Sequence, residues 1–162
     1  MGSVAPGGGS GEMSQRRKTV IAAIEGYNSW KIDKIMAPRH PDAIHEILPK
    51  TLERPVMNNT HYRSYFSAIM PYFHNFHVTI NDLIEDPIQN KIAIWAKSTG
   101  STEIGEYSNE YMLVFYLDQE GKQIVRSLEF VDSAVTMPYM VELGKYIREK
   151  KGSDGFEKRY NE

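Results

Sequence analysis

The amino-acid sequence predicts an α+β fold in which helices pack against an antiparallel sheet. The first half of the chain carries apolar residues at helical spacing. After residue 75, four runs rich in β-branched and aromatic residues follow one another, separated by short turn sequences. Because the helices precede the strands instead of alternating with them, the class is α+β. A chain of 162 residues is long enough for one domain with an enclosed cavity.

Both ends of the sequence are predicted to lie outside this domain. Residues 1–13 begin with "MGSVAPGGGSGE", a Gly/Ser-rich stretch without periodicity that is typical of a flexible linker or a cloning remnant. Residues 151–162 are charged and interrupted by glycine, which predicts a flexible tail. The folded domain is therefore expected to span residues 14–150.

Four helices are predicted. The first has Ser14 as its N-cap and places Val20, Ala23 and Ile24 on one face. A short second helix over "KIDKIM" is broken by "APRHP". The third, over "NNTHYRSYFSAIMPYF", ends at Pro71, and the last covers "MPYMVELGKYIREK" at the end of the domain.

Four strands are predicted between the third and the last helix. They cover "FHVTINDLIED", "NKIAIWAKST", "YSNEYMLVFYLD" and "QIVRSLEFVDSA", and the turn sequences "DPIQN", "GSTEIG" and "DQEGK" separate them. Since short turns join consecutive strands that pair with each other, the sheet is expected to be an antiparallel meander.

The third predicted strand carries a mixed face. Because side chains alternate along a strand, Tyr107, Asn109 and Tyr111 point the same way as Leu113 and Phe115. An apolar wall that holds a few polar groups is typical of a ligand cavity.

The turn between the last two strands predicts their register. Gly121 supplies the left-handed residue of a three-residue loop, which sets Asp118 opposite Lys122. The pairs that follow are Tyr111 with Glu129, Asn109 with Val131, Leu113 with Ser127 and Phe115 with Val125. This register adds Ser127 and Glu129 to the polar groups of the predicted cavity.

The opposite face of the same two strands is almost entirely apolar. It is predicted to carry Met112, Val114, Tyr116, Ile124, Leu128 and Phe130. Because the helices cover the cavity side, this second face is expected to form core or a homodimer interface.

Composition excludes several classes of function. The net charge of −2, with both signs spread along the chain, argues against nucleic-acid partners. No apolar run approaches the roughly 20 residues that span a membrane, so we expect a soluble, cytoplasmic protein. The chain has no cysteine, which excludes thiolate metal sites and thiol nucleophiles.

The histidines do not predict a metal site. His74 and His77 lie three apart on a strand and point to opposite faces, and His40 and His45 flank a proline without a carboxylate cluster. No phosphate-binding or dinucleotide motif is present. The sequence therefore predicts no metal and no cofactor.

Four segments carry a family resemblance that covers about residues 19–145: "LPKTLERPVMNN", "YFSAIMPYFHNFHVTINDLIED", "GEYSNEY" and "EFVDS". They resemble the SnoaL-like branch of the nuclear transport factor 2-like proteins. The resemblance implies a cone of helices on a curved antiparallel sheet, and a homodimer. It is specific to small fungal proteins of natural-product biosynthesis, which include isomerases and cyclases.

Within this family, the sequence is most similar to cofactor-free semipinacolases of spiro-indole alkaloid pathways. Their site combines an arginine after the short helix, two tyrosines four apart on a strand and a glutamate on the next strand. The matching positions are Arg39, Tyr107, Tyr111 and Glu129, which the resemblance therefore implies are catalytic.

Each candidate residue also has a structural interpretation. Glu129 is either an ion-pair partner or an acid/base group, the two tyrosines are either core aromatics or substrate donors, and Arg39 is either a surface cation or a charge stabiliser. Asp132 falls on the face opposite Glu129 and is expected to be structural. The residues expected to line the substrate cavity are Asn109, Leu113, Phe115, Ser127, Trp95 and His77.

Three functions remain open at this point. The first is a cofactor-free isomerase that catalyses a semipinacol-type 1,2-shift of an oxidised indole alkaloid. The second is a dehydratase, cyclase or isomerase acting on a polyketide or meroterpenoid, and the third is a non-catalytic binding or dimerisation module. A polar cluster inside the cavity argues against the third, and the lack of a His/Asp dyad on one face argues against dehydration.

Overall fold

Helices and strands follow the predicted order, with one additional strand. The computed structural model describes residues 11–151. Its helices are α1 (Gln15–Asn28), α2 (Ile32–Met36), α3 (Asn59–Ile69) and α4 (Ser133–Lys151). Its strands are β1 (Arg39–Leu48), β2 (His74–Asp86), β3 (Lys91–Thr102), β4 (Gly105–Leu117) and β5 (Ile124–Val131). The α+β class is confirmed, whereas the predicted linker and tail lie largely outside the described residues.

The start of α1 is fixed both locally and to the sheet. The Ser14 hydroxyl caps the helix by accepting a hydrogen bond from the Arg17 backbone N–H at 3.1 Å. The same hydroxyl donates to the Glu85 carboxylate at the end of β2, which also receives Arg16 and Arg17 at 2.9 Å each. Burial favours a neutral Glu85, but these three partners outweigh it and lower the pKa of the carboxyl.

The sheet has the order β1-β5-β4-β3-β2. Strands β2 to β5 form the predicted antiparallel meander. Strand β1, where the sequence predicted only a loop after α2, pairs in parallel with β5 at the sheet edge. Pro41 interrupts the strand pattern, but an edge strand tolerates proline, and Pro41 lies where the β1 register is irregular.

The predicted register between β4 and β5 is wrong by two residues. Tyr111 faces Val131, and Glu129 faces Leu113. Gly121 has the expected left-handed φ of +71°, but the connection is longer than a three-residue loop and the register shifts between Tyr116 and Leu117. Because the error is an even number, the side chains expected in the cavity keep their face.

The register shift changes the face of Ile124. Ile124, predicted on the outer face, is 1% exposed and belongs to the core cluster between α1 and the sheet. The helices cover the concave face of the sheet, and the convex face is open. Trp95, Met112 and Phe130 form a row across three strands of that convex face and are 47%, 42% and 51% exposed.

No helix in the part of the chain that the structure describes is long and apolar enough to cross a bilayer.

Candidate active site

A cavity lies between the concave face of the sheet and the helices. Its walls are mostly aromatic and aliphatic, and Trp30 stacks on Phe76 with ring centroids 4.2 Å apart. The centres of water molecules can occupy about 100 Å³ of it. Its lining includes Tyr27, Trp30, Tyr65, Phe66, Ile69, Phe73, Phe76, Tyr107, Leu113, Phe115, Met137 and Met140. Two clusters of polar groups reach it from the sheet, and Arg54, between β1 and α3, and Thr136, on α4, also line it.

The first polar group is a cluster of hydroxyls on β3 and β4. The Tyr111 hydroxyl lies 2.7 Å from Ser98 Oγ and 3.2 Å from the Tyr107 hydroxyl. Asn109 donates its side-chain amide to Tyr107 at 3.2 Å. All four side chains are buried, and Tyr107, Asn109 and Tyr111 line the cavity as predicted.

Burial determines the protonation state of the two tyrosines. Desolvation raises the pKa of Tyr107, and it raises the pKa of Tyr111 well above the ordinary value of 10.0. The negative charge of Glu129 raises both further. Tyr107 and Tyr111 are therefore neutral near pH 7 and can donate hydrogen bonds.

The second polar group is a dyad of His45 and Glu129. His45 Nε2 lies 3.1 Å from Glu129 Oε2, and His45 Nδ1 lies 2.8 Å from Ser127 Oγ. His45 is only 3% exposed, whereas the Glu129 side chain is 23% exposed. All three residues line the cavity. Sequence reasoning dismissed His45 because it did not predict β1, whose parallel pairing places His45 beside Ser127.

Arg39 lies behind this dyad, not in the cavity. It is buried at the start of β1, donates from Nε to Asn59 Oδ1 at 2.8 Å and from Nη1 to Ser127 Oγ at 3.2 Å. Its guanidinium carbon lies 4.1 Å from the centre of the Tyr62 ring. Arg39 is absent from the residues that line the cavity. The sequence expectation that it is a surface cation or acts directly on substrate does not match this position.

A hydrogen-bonded tyrosine pair supports the same wall. The hydroxyls of Tyr27 and Tyr62 are hydrogen-bonded to each other, and Tyr62 packs its ring against His45 at 4.8 Å. Burial raises the pKa of Tyr27 to about 12, against the lowering effect of its Tyr62 contact. Both hydroxyls are therefore protonated at neutral pH.

Two predicted cavity residues lie elsewhere. Trp95 is on the convex face, where its indole N–H donates to Glu110 at 2.6 Å. His77 is exposed on β2 and is not part of the cavity lining. Both predictions are wrong: the inward face of β3 carries Ile92, Ile94 and Ala96, and the residues of β2 that line the cavity are Phe76 and Val78. Leu113, Phe115 and Ser127 line the cavity as expected.

Asp132 connects β5 to α4. Asp132 accepts a hydrogen bond from the Ala134 backbone N–H at the start of α4, which is a structural role. Within residues 11–151, no three His, Cys, Asp or Glu side chains are grouped as metal ligands would be.

Helices on the concave face of a curved, open sheet, with a polar cluster inside an apolar cavity, define the nuclear transport factor 2-like class. The BvnE pinacolase of Penicillium brevicompactum has this fold with a TM-score of 0.75 and 22% sequence identity, over 82% of this chain and 99% of that one. At this identity the likeness concerns the fold.

Sequence relatives narrow the class to a family. Core atranone cluster protein 11 of Stachybotrys chlorohalonatus is 39% identical over 76% of this chain and 92% of its own length. The monooxygenase nsrQ of Aspergillus novofumigatus is 25% identical over 82% of this chain and 88% of its own. No family model matches the chain. The chain belongs to the SnoaL-like proteins of fungal secondary metabolism.

Proposed function

We propose that this protein is a cofactor-independent isomerase that catalyses a semipinacol-type 1,2-shift of an oxidised indole alkaloid to a spiro-indoxyl. The observation that carries the proposal is a carboxylate, Glu129, in the same apolar cavity as two neutral tyrosine donors. Such a pairing of base and hydrogen-bond donors is what a rearrangement needs when one proton must leave an oxygen and another must reach a nitrogen.

In the proposed reaction, Glu129 is the base. Its Oε2 is engaged by His45, while Oε1 has no hydrogen-bond partner among the described residues and can receive a proton. Glu129 removes the hydroxyl proton of a 3-hydroxyindolenine as the C–O bond becomes a carbonyl. A carbon substituent then migrates from C3 to the imine carbon, and the electron pair of the imine double bond passes to nitrogen.

Tyr107 and Tyr111 are the proposed donors to that nitrogen. Their neutral hydroxyls stabilise the negative charge that develops there and are the nearest proton source in the hydroxyl cluster. The proton taken up by Glu129 balances the one given to nitrogen once the two exchange through solvent. Substrate and product therefore have the same composition.

The apolar walls of the cavity are proposed to hold the substrate, exclude water and select the face for migration. Trp30, Phe73 and Phe76 line the cavity with packed aromatic rings, which suits a planar bicyclic substrate. A cavity closed around the substrate excludes water that would add to the imine. It also presents one face for migration, so that a single stereoisomer forms.

Incubation with 3-hydroxyindolenine alkaloids, followed by chromatography and mass spectrometry, tests the proposal. The expected result is a product of unchanged mass at a new retention time, formed without added metal or nucleotide. A product heavier by one oxygen atom would contradict it and would match the name of the Aspergillus relative.

A second candidate is dehydration or cyclisation of a polyketide or meroterpenoid. The His45–Glu129 dyad favours it, because the sequence argument against dehydration depended on the lack of a histidine beside an acid. His45 would then protonate a leaving hydroxyl while Glu129 removes a carbon-bound proton. Loss of one water from a β-hydroxy ketone in the same assay would support this candidate over the first.

A further inference from the structure

We infer that Arg39 is a positioning residue, which acts through Ser127 and His45 to hold the Glu129 carboxylate and does not contact substrate. The catalytic consequence rests on the proposed function, whereas the arrangement itself can be tested without any substrate. The inference differs from the expectation that the arginine stabilises charge on the substrate directly.

The guanidinium of Arg39 is held at two edges. Nε donates to Asn59 Oδ1, and the Asn59 amide is itself fixed by donating to the backbone carbonyls of His40 and Pro41 at 2.8 and 2.9 Å. Nη1 donates to Ser127 Oγ. This planar group links α3, β1 and β5 through donors that point in fixed directions, which the freely rotating ammonium of a lysine would not provide.

The direction of each hydrogen bond beyond Arg39 follows from its donor capacity. Arginine can only donate, so Ser127 Oγ accepts from it and has its own proton available for His45 Nδ1. Nδ1 is then the acceptor of the ring, and Nε2 carries the proton that is donated to Glu129 Oε2. The opposite tautomer would place a nitrogen lone pair against a carboxylate oxygen.

Charge and packing support the same arrangement. His45 contacts Tyr62 on α3 and Ser127 and Glu129 on β5. Arg39, on the same strand as His45, reaches the same Ser127 hydroxyl. The Tyr62 ring contacts both Arg39 and His45, which fixes the distance between them. Within the described residues no carboxylate pairs with Arg39, and its Nη2 has no partner. Burying a cation without an ion pair costs free energy. We expect the contacts of Arg39 with Asn59, Ser127 and the Tyr62 ring to offset this cost.

The substrate-free protein, labelled with ¹⁵N-histidine, provides the test. We expect a slowly exchanging Nε2–H resonance for His45, assigned by its loss in His45→Gln. Arg39→Met keeps the apolar stem and removes the guanidinium, so the exchange of this proton should accelerate about 10-fold or more. Ser127→Ala removes the link itself and should give the same result in a less disruptive way.

Arg126→Gln is the matched control. Arg126 lies on β5 next to Ser127 and pairs with Glu46, next to His45 on β1, on the other side of the sheet. The Arg126→Gln substitution should leave the exchange of the His45 Nε2 proton unchanged. Unchanged exchange in both Arg39→Met and Ser127→Ala, or no protected Nε2–H in the wild type, would overturn the inference.

Kinetics separate positioning from substrate contact. With a substrate that the wild type converts, Arg39→Met should lower kcat about 10-fold or more and change KM less than about twofold. A raised KM at unchanged kcat would instead identify Arg39 as a substrate ligand and overturn the inference. If no substrate is converted, the proposed function fails while the NMR result still decides the role of Arg39.

Discussion

Substitutions of Tyr107 and Tyr111 distinguish a catalytic role of their hydroxyls from a packing role. If their hydroxyls donate to the developing charge, Tyr→Phe at either position removes a donor and leaves the aromatic wall intact. We expect the single-turnover rate to fall about 10-fold or more with little change in substrate affinity. Rapid-quench measurements on both variants provide the check.

A structural role for the same hydroxyls predicts the opposite pattern. The free energy of unfolding would then drop by about 0.5–1.5 kcal/mol for each lost buried hydrogen bond, while the rate per folded molecule stays at the wild-type value. Denaturant unfolding of both variants, measured beside the rates, distinguishes the two roles.

We also predict that His45 is required for full turnover. His45→Gln removes the ring that holds Glu129 Oε2, so we predict a fall in turnover of about 10-fold or more. Glu46→Gln is the control, because Glu46 is the next residue on β1 and pairs with Arg126 away from the cavity. Equal loss of turnover in both variants would show that β1 is merely destabilised.

The sequence predicted three of these four cavity groups. Tyr107, Tyr111 and Glu129 could be found because strand alternation alone determines which side chains share a face. His45 could not, since its role depends on a parallel pairing between β1 and β5 that are 80 residues or so apart in sequence. The available signal was the alternation of Ala43, His45 and Ile47 after Pro41.

At the scale of elements, local signals predicted the helices and the meander, and loop geometry did not predict the register. The six residues that connect β4 and β5 contain an Asp118 carboxylate that accepts from the Lys122 and Gln123 backbone N–H groups. Such side-chain contacts lengthen the turn beyond what a glycine position indicates.

The contact between α1 and β2 predicts a pH-dependent stability. Glu85→Gln should lower the free energy of unfolding by about 1–3 kcal/mol at pH 7, because a charged acceptor of three donors is lost. The folded pKa of Glu85 is lower than its ordinary value of 4.5. Its contribution is therefore complete above pH 4.5 and is lost as the pH falls through the lower folded value.

Denaturant titrations at pH 7 and pH 3 measure this effect. The difference between wild type and Glu85→Gln should shrink at the lower pH. Glu12→Gln is the control, since Glu12 pairs with Lys18 near the start of α1 but is 86% exposed, and it should cost less than about 1 kcal/mol. A Glu85 effect no larger than the Glu12 effect would contradict this interpretation.

At the scale of the whole molecule, the open convex face leads us to propose a homodimer. Trp95, Met112 and Phe130 form an apolar row across β3, β4 and β5, and a symmetric dimer would bury the row of each copy. Met112→Glu places a charge in this row, so sedimentation velocity at micromolar concentration should show a shift from dimer to monomer.

Ile88→Glu is the control for the dimer. Ile88 is 92% exposed in the turn between β2 and β3, away from the row, and its replacement should leave the dimer intact. A wild-type protein that sediments as a monomer at micromolar concentration would contradict the proposal.

Across these scales, the fold supplies an apolar cavity, neutral tyrosine donors and a carboxylate held by histidine. The proposed chemistry depends most directly on that carboxylate. Glu129→Gln retains the shape of the side chain and removes its capacity to accept a proton, so folding should persist without the base.

The most direct test is the single-turnover conversion of a 3-hydroxyindolenine by wild-type protein and by Glu129→Gln, with product mass and rate recorded together. We predict a product of unchanged mass from the wild type and a rate that is about 100-fold lower or more in the variant. Conversion at the wild-type rate by a folded Glu129→Gln variant would exclude Glu129 as the base.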